Sequence, residues 1–189
     1  MNPVSKGLLC GREIEYFHHP SEEAWGYAAP QEDTFAVIHP QKEDIGKKYP
    51  LFVVFHSAGH DVHSCIGCMP WIGNHDIYDA PPETFALVLD CWANTKTDWW
   101  WGGDSAFGAF PERNGTAPQP VERRCVDTIL WVCGHFAVDT DRVYAVGNSM
   151  GGSGALGIGM RHGEIFAAVK ANVPAGARHA AARRRISIR

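Results

Sequence analysis

The 189-residue chain has no apolar run of membrane length. Its longest, such as Leu51-Phe52-Val53-Val54-Phe55 and Phe85-Ala86-Leu87-Val88-Leu89, are five residues each, against the roughly 18 to 20 that span a bilayer. An integral membrane protein is therefore not expected. A secretory leader is not expected either, because Lys6 is followed only by Gly7, Leu8 and Leu9 before Cys10 and a charged stretch. The expected location is cytoplasmic, where the six cysteines are read as mostly reduced thiols rather than a disulfide scaffold. Acidic residues are missing from the last twelve positions, which hold five arginines. The remaining 12 basic and 21 acidic residues give positions 1–177 a net charge of minus nine. Such an acidic body argues against nucleic acid as a partner. The expected organisation is one domain over 1–177 and a basic, disordered tail over 178–189. A composition of 45% hydrophobic and 20% charged residues excludes disorder, collagen and coiled coil for the body.

The apolar runs that are present suit strands buried on both faces. Leu51 to Phe55 ends at His56, Phe85 to Leu89 ends at Asp90, and Arg142-Val143-Tyr144-Ala145-Val146 ends at Gly147. Between the second and third, Val121, Cys125, Ile129, Val132, Cys133 and Phe136 repeat at helical spacing. Strand, helix, strand implies a mostly parallel sheet with helices on both faces. A helix over 150–161 and a strand over 165–171 continue the alternation. Two further strands, around 13–17 and 34–39, are expected at the sheet edge. The Gly-, Pro- and Asn-rich segment 102–120 reads as a long surface loop. Trp92, Trp99, Trp100 and Trp101 at its start carry too much apolar surface to stay wet. They pack under the loop or form a wall against a ligand.

Gly147-Asn148-Ser149-Met150-Gly151 is G-x-S-x-G between such a strand and a helix that opens on small residues. A serine at a sharp strand-to-helix turn presents its hydroxyl above the sheet, and flanking glycines avoid Cβ clashes with neighbouring backbone. The helix N-terminus beside it favours developing negative charge. Acyl transfer also needs donors for an oxyanion. The backbone N–H groups of Met150 and of Ser57 or Ala58, in His56-Ser57-Ala58-Gly59 after the first buried strand, are the candidates. His56, Trp99, Trp100 and Trp101 are candidate substrate contacts.

From about 34 to 175 the chain resembles the N-terminal two-thirds of an α/β-hydrolase, close to esterases of the feruloyl esterase and polyhydroxybutyrate depolymerase kind. The carriers are Phe52 to Gly59, Asp98-Trp99-Trp100-Trp101-Gly102-Gly103, Arg142 to Leu156, and Met160-Arg161-His162-Gly163-Glu164-Ile165-Phe166-Ala167-Ala168-Val169. The resemblance implies Ser149 as nucleophile, a small-molecule ester as substrate, and no metal or organic cofactor. It also implies an acid and a histidine later in the chain, in the order Ser, Asp, His. After Ser149 stand no Asp, one Glu (Glu164) and two His, His162 and His179. The expectation is a sheet incomplete at the C-terminus, a truncated or frame-shifted reading of a longer gene. A serine esterase and a catalytically incompetent fragment with a binding role only are then the two readings. A strand at 165–171 lacking a later neighbour would invite homodimers through the exposed edge.

Two other motifs compete. Gly152-Ser153-Gly154-Ala155-Leu156-Gly157 fits G-x-G-x-x-G, but it stands five residues beyond the strand and has no acid about 20 residues on, so small residues packing a helix explain it better. Cys65-Ile66-Gly67-Cys68, with His60, His63 and His75 nearby, could begin a zinc shell. With no second pair, buried thiols in a loop helix are the expected account. Asp90 either orients a site side chain or caps the turn before Trp92.

Overall fold

The computed structural model describes residues 1–20, 22–27, 29–30, 32–71, 73, 76–91, 100 and 118–174. Seven strands form one mixed sheet: β1 (Ser5–Leu9), β2 (Arg12–Pro20), β3 (Glu32–Ile38), β4 (Tyr49–Phe55), β5 (Phe85–Leu89), β6 (Val138–Asn148) and β7 (Ala168–Asn172). Their order is β1-β2-β3-β5-β4-β6-β7. β5, β4, β6 and β7 run parallel, while β1, β2 and β3 join them antiparallel.

The three helices are α1 (Val62–Cys68), α2 (Pro120–His135) and α3 (Met150–Arg161). They lie on both faces of the sheet, as the alternation of β4 requires. Leu51, Val53 and Phe55 point into a core with Val121, Cys125, Ile129 and Val132 of α2 and Ala155 and Ile158 of α3. Val54 points the other way, into a second core with Val62, Cys65 and Ile66 of α1 and with Ile77 and Tyr78. Asp61 starts α1 with a reciprocal cap: its carboxylate accepts from the Ser64 N–H while Ser64 Oγ accepts from the Asp61 N–H.

Several expectations need correction. β2 and β3 are inner strands rather than edges, because an additional strand, β1, lies outside them. β1 and β2 are joined by Cys10 and Gly11, with φ of 49° and 82°; two positive φ values are what a type I′ hairpin turn needs. The last strand starts at Ala168 rather than 165, since Ile165 and Phe166 still bond back to the His162 carbonyl in the turn that closes α3. β6 starts four residues before the expected Arg142. Among the described residues β7 pairs only with β6, so one of its edges is open. The tail at 178–189 lies outside the described residues, as does the loop from 101 to 117.

Candidate active site

Parallel β4, β5 and β6 deliver their C-terminal ends, at His56, Asp90 and Asn148, to the same rim of the sheet. Ser149 sits there between β6 and α3 with φ 54° and ψ −116°, a strained conformation for a residue with a Cβ. Its N–H donates to the Asn172 carbonyl at 2.9 Å and its carbonyl accepts from Ser153 N–H at 3.1 Å, so both sides of the turn are anchored. The glycines permit the approach. A Cβ on Gly147 would lie 2.1 Å from the Gly151 oxygen, and one on Gly151 would lie 1.9 Å from the Phe55 oxygen. Met150 is the first residue of α3, where a backbone N–H has no partner within the helix.

The loop after β4 is held differently from the sequence-based expectation. Ser57 N–H donates to Tyr78 Oη at 2.8 Å. Its amide is therefore engaged inside the protein, whereas the next residue, Ala58, is exposed in the turn. His56 is fully buried. Its Nδ1 donates to the Ser57 carbonyl at 2.8 Å, and its Nε2 lies 3.3 Å from both Asp90 Oδ1 and the Cys91 amide nitrogen. A ring so enclosed does not touch substrate; it braces the loop. Asp90 does something other than cap the turn before Trp92, which lies outside the described residues: it faces His56 with one oxygen, and the other accepts from Val62 N–H at 3.4 Å in the first turn of α1.

Trp100 is a wedge rather than a wall. It is 1% exposed, donates from Nε1 to the His56 carbonyl at 3.0 Å, and meets Phe55 and His56 edge-on. Gly154 makes room for it, since a Cβ there would lie 2.7 Å from the indole. The small residues read against a dinucleotide motif thus seat an indole against α3. Trp92, Trp99 and Trp101 lie outside the described residues.

The base that the serine needs is a separate matter. Among the described residues, no side chain hydrogen-bonds Ser149 Oγ. His162 follows the C-terminus of the 12-residue α3, about 20 Å along the helix from Ser149 at 1.5 Å per residue. It is committed elsewhere: Nε2 meets Glu122 Oε1 and Nδ1 meets Glu164 Oε1, each at 3.0 Å. Arg161 adds a fork to Glu122, with both contacts at 2.7 Å. His179 lies outside the described residues. For the thiol pair, Cys65 is buried, Cys68 partly so, and the sole three-ligand cluster among the described residues is Glu13, Glu15 and His39. Cys65 packs in the core on the α1 face, where burial pushes its thiol well above its ordinary range, and His75 lies outside the described residues.

The Glu122 clamp has a pH signature. Burial opposes its charge, but hydrogen bonds from His162 and Arg161 outweigh that and hold the carboxyl at about 2, below the ordinary 4.5. His162 is shifted up from 6.5, first by its hydrogen bond to Glu122, against burial and with help from Glu164. A depressed carboxyl stabilises above its unfolded value and loses that contribution as pH falls through its folded one. A raised imidazole stabilises fully below 6.5 and loses its contribution at higher pH. The stability advantage of the wild type over Glu122→Gln should therefore be greatest between 4.5 and 6.5 and shrink towards pH 2. Urea midpoints across that range test it; an advantage that persists unchanged at pH 2 contradicts the clamp.

Comparison with known proteins agrees with this architecture. Residues 127–177 match the Esterase family model. No curated protein sequence matches. The chain is similar in structure to an S-formylglutathione hydrolase from Agrobacterium tumefaciens, with 22% identity, a TM-score of 0.59, and coverage of 89% of this chain and 60% of that one. It is also similar to the CE1 ferulic acid esterase of Anaeromyces mucronatus (16%, TM-score 0.53, 88% and 58%). A third similar structure is a fluorophosphonate-binding serine hydrolase of Staphylococcus aureus (16%, TM-score 0.51, 82% and 55%). The chain thus spans about 60% of the length of the hydrolase from Agrobacterium tumefaciens. Its fold is the α/β-hydrolase type of these esterases.

Proposed function

We propose that this chain, an α/β-hydrolase-type fold of the esterase kind, is a serine hydrolase of carboxylic esters that works through an acyl-enzyme. The observation that carries the proposal is Ser149 itself, held at φ 54° and ψ −116° between β6 and α3 with glycine-only clearance on both sides. Ser149 Oγ attacks the ester carbonyl carbon and its proton passes to a general base, the histidine that this chemistry uses. The carbonyl oxygen, now negative, takes hydrogen bonds from the N–H groups of Met150 and Ala58. Collapse expels the alcohol, which leaves with the proton, and water then releases the acid. The N-terminus of α3 adds a favourable field at the same point.

Trapping tests the intermediate directly. After p-nitrophenyl acetate and an acid quench, intact mass followed by peptide mapping should show one added acetyl group, on Ser149. Turnover with no adduct, or with the adduct on another residue, overturns the assignment. A second reading, a fold that binds ligands without turnover, is favoured by one observation: among the described residues nothing hydrogen-bonds Ser149 Oγ. A folded chain that binds esters but never acylates would establish it.

A further inference from the structure

The loop after β4 and the turn carrying Ser149 are tied together by a circuit of hydrogen bonds, and its outer member is Tyr78. We propose that Tyr78 is a positioning residue for the esterase chemistry: its hydroxyl, through Ser57, sets where the Ala58 amide stands relative to Ser149. The inference rests on the function proposed above.

Counting protons fixes the direction of each bond. Ser57 Oγ lies 2.8 Å from the Asn148 carbonyl, which can only accept, so the single Ser57 hydroxyl proton is spent there. At the 2.8 Å contact between Ser57 Oγ and Tyr78 Oη, Tyr78 must then be the donor. The same Oη accepts the Ser57 N–H at 2.8 Å. One phenol thus holds Ser57 at both its backbone and its side chain. Asn148 Nδ2 donates to Ser57 Oγ at 3.2 Å, and Asn172 Nδ2 donates to Asn148 Oδ1 at 2.7 Å. The Asn172 carbonyl takes the Ser149 N–H. The circuit therefore runs from Tyr78 through Ser57, Asn148 and Asn172 to the nucleophile's own backbone.

The rest of Tyr78 suits an anchor. Its ring is fully buried among Val54, Val62, Cys65 and Val146, in the core on the face opposite α3. Burial raises its phenol pKa despite the bonds to Ser57, so the hydroxyl keeps the proton it donates. With Ser57 clamped in this way, the peptide that follows, and so the direction of the Ala58 N–H, is set by a residue that touches no substrate. A misplacement of about 1 Å in such a group costs on the order of 100-fold in rate.

Tyr78→Phe keeps the ring and removes only the hydroxyl. In the full chain it should lower kcat for p-nitrophenyl acetate by about 10- to 100-fold with KM within about twofold. It should also speed amide exchange in residues 56–60, leaving the β2–β3 amides unchanged. In a Ser57→Ala background, where the bridge to Asn148 is already cut and only the backbone bond to Tyr78 remains, the added effect of Tyr78→Phe should be clearly smaller than in the wild type. Unchanged exchange at 56–60, or a full loss repeated in the Ser57→Ala background, overturns the proposal. Should Tyr78→Phe fail to fold, Ser57→Ala alone must reproduce the loss of kcat at constant KM. Wild-type chain inert towards esters would refute the esterase reading, and the exchange arm would still decide whether Tyr78 clamps the loop.

Discussion

Gly151→Ala is expected to destabilise the chain by about 3 kcal/mol or more, in the upper range for overpacking a close contact. The added Cβ would lie 1.9 Å from the Phe55 oxygen, 2.6 Å from the Phe55 carbonyl carbon and 2.7 Å from the His56 oxygen. All three are backbone atoms at the end of β4, so no side chain can rotate away. Relief requires α3 to lift from β4, which would open the core where Ala155 and Ile158 meet Val53 and Phe55. Gly134→Ala is the control. It stands exposed in the last turn of α2 with nothing within 4 Å of an added Cβ, and should stabilise by about 0.5 to 1 kcal/mol through helix propensity alone. Urea denaturation followed by tryptophan fluorescence measures both. Equal midpoints for the two variants would mean that α3 does not approach β4 as closely as described.

Replacing Ser149 should separate activity from stability. Ser149→Ala removes the attacking oxygen, and its turnover of a p-nitrophenyl ester should fall by about 10³-fold or more. Ser149→Gly should be equally inactive yet more stable by about 1 kcal/mol or more, because glycine takes φ 54°, ψ −116° without the strain a Cβ brings. A gain in stability on loss of the whole side chain, with none on loss of the hydroxyl alone, is the signature of strain held for chemistry rather than for folding. Full activity in Ser149→Ala, or a marked loss of stability in Ser149→Gly, would contradict this account of the turn.

The central part of this architecture was legible because its signals are local. Buried parallel strands show as unbroken apolar runs, so β4 and β5 stood out, and α3 spans 150–161 as expected from small residues following G-x-S-x-G. The β1–β2 hairpin was hidden, since its turn uses Cys10 before Gly11 and β1 is mostly exposed, leaving no hydrophobic alternation to see. The loop after β4 was singled out, but not which of its amides is already engaged within the protein. That depends on Tyr78, which lies 21 residues beyond Ser57 in a short 3-10 turn and reaches the loop only in three dimensions. His56 was mistaken for a substrate contact for the same reason. A histidine at a strand end looks exposed until Trp100 and Asp90 are seen to enclose it.

The most direct test of an activated Ser149 is intact-mass spectrometry of the folded chain after treatment with a fluorophosphonate, with Ser149→Ala treated alongside. The account predicts one phosphonyl adduct per chain, mapped to Ser149 and absent from the variant. A folded chain that gains no adduct, or gains the same adduct with Ser149 replaced, would contradict it.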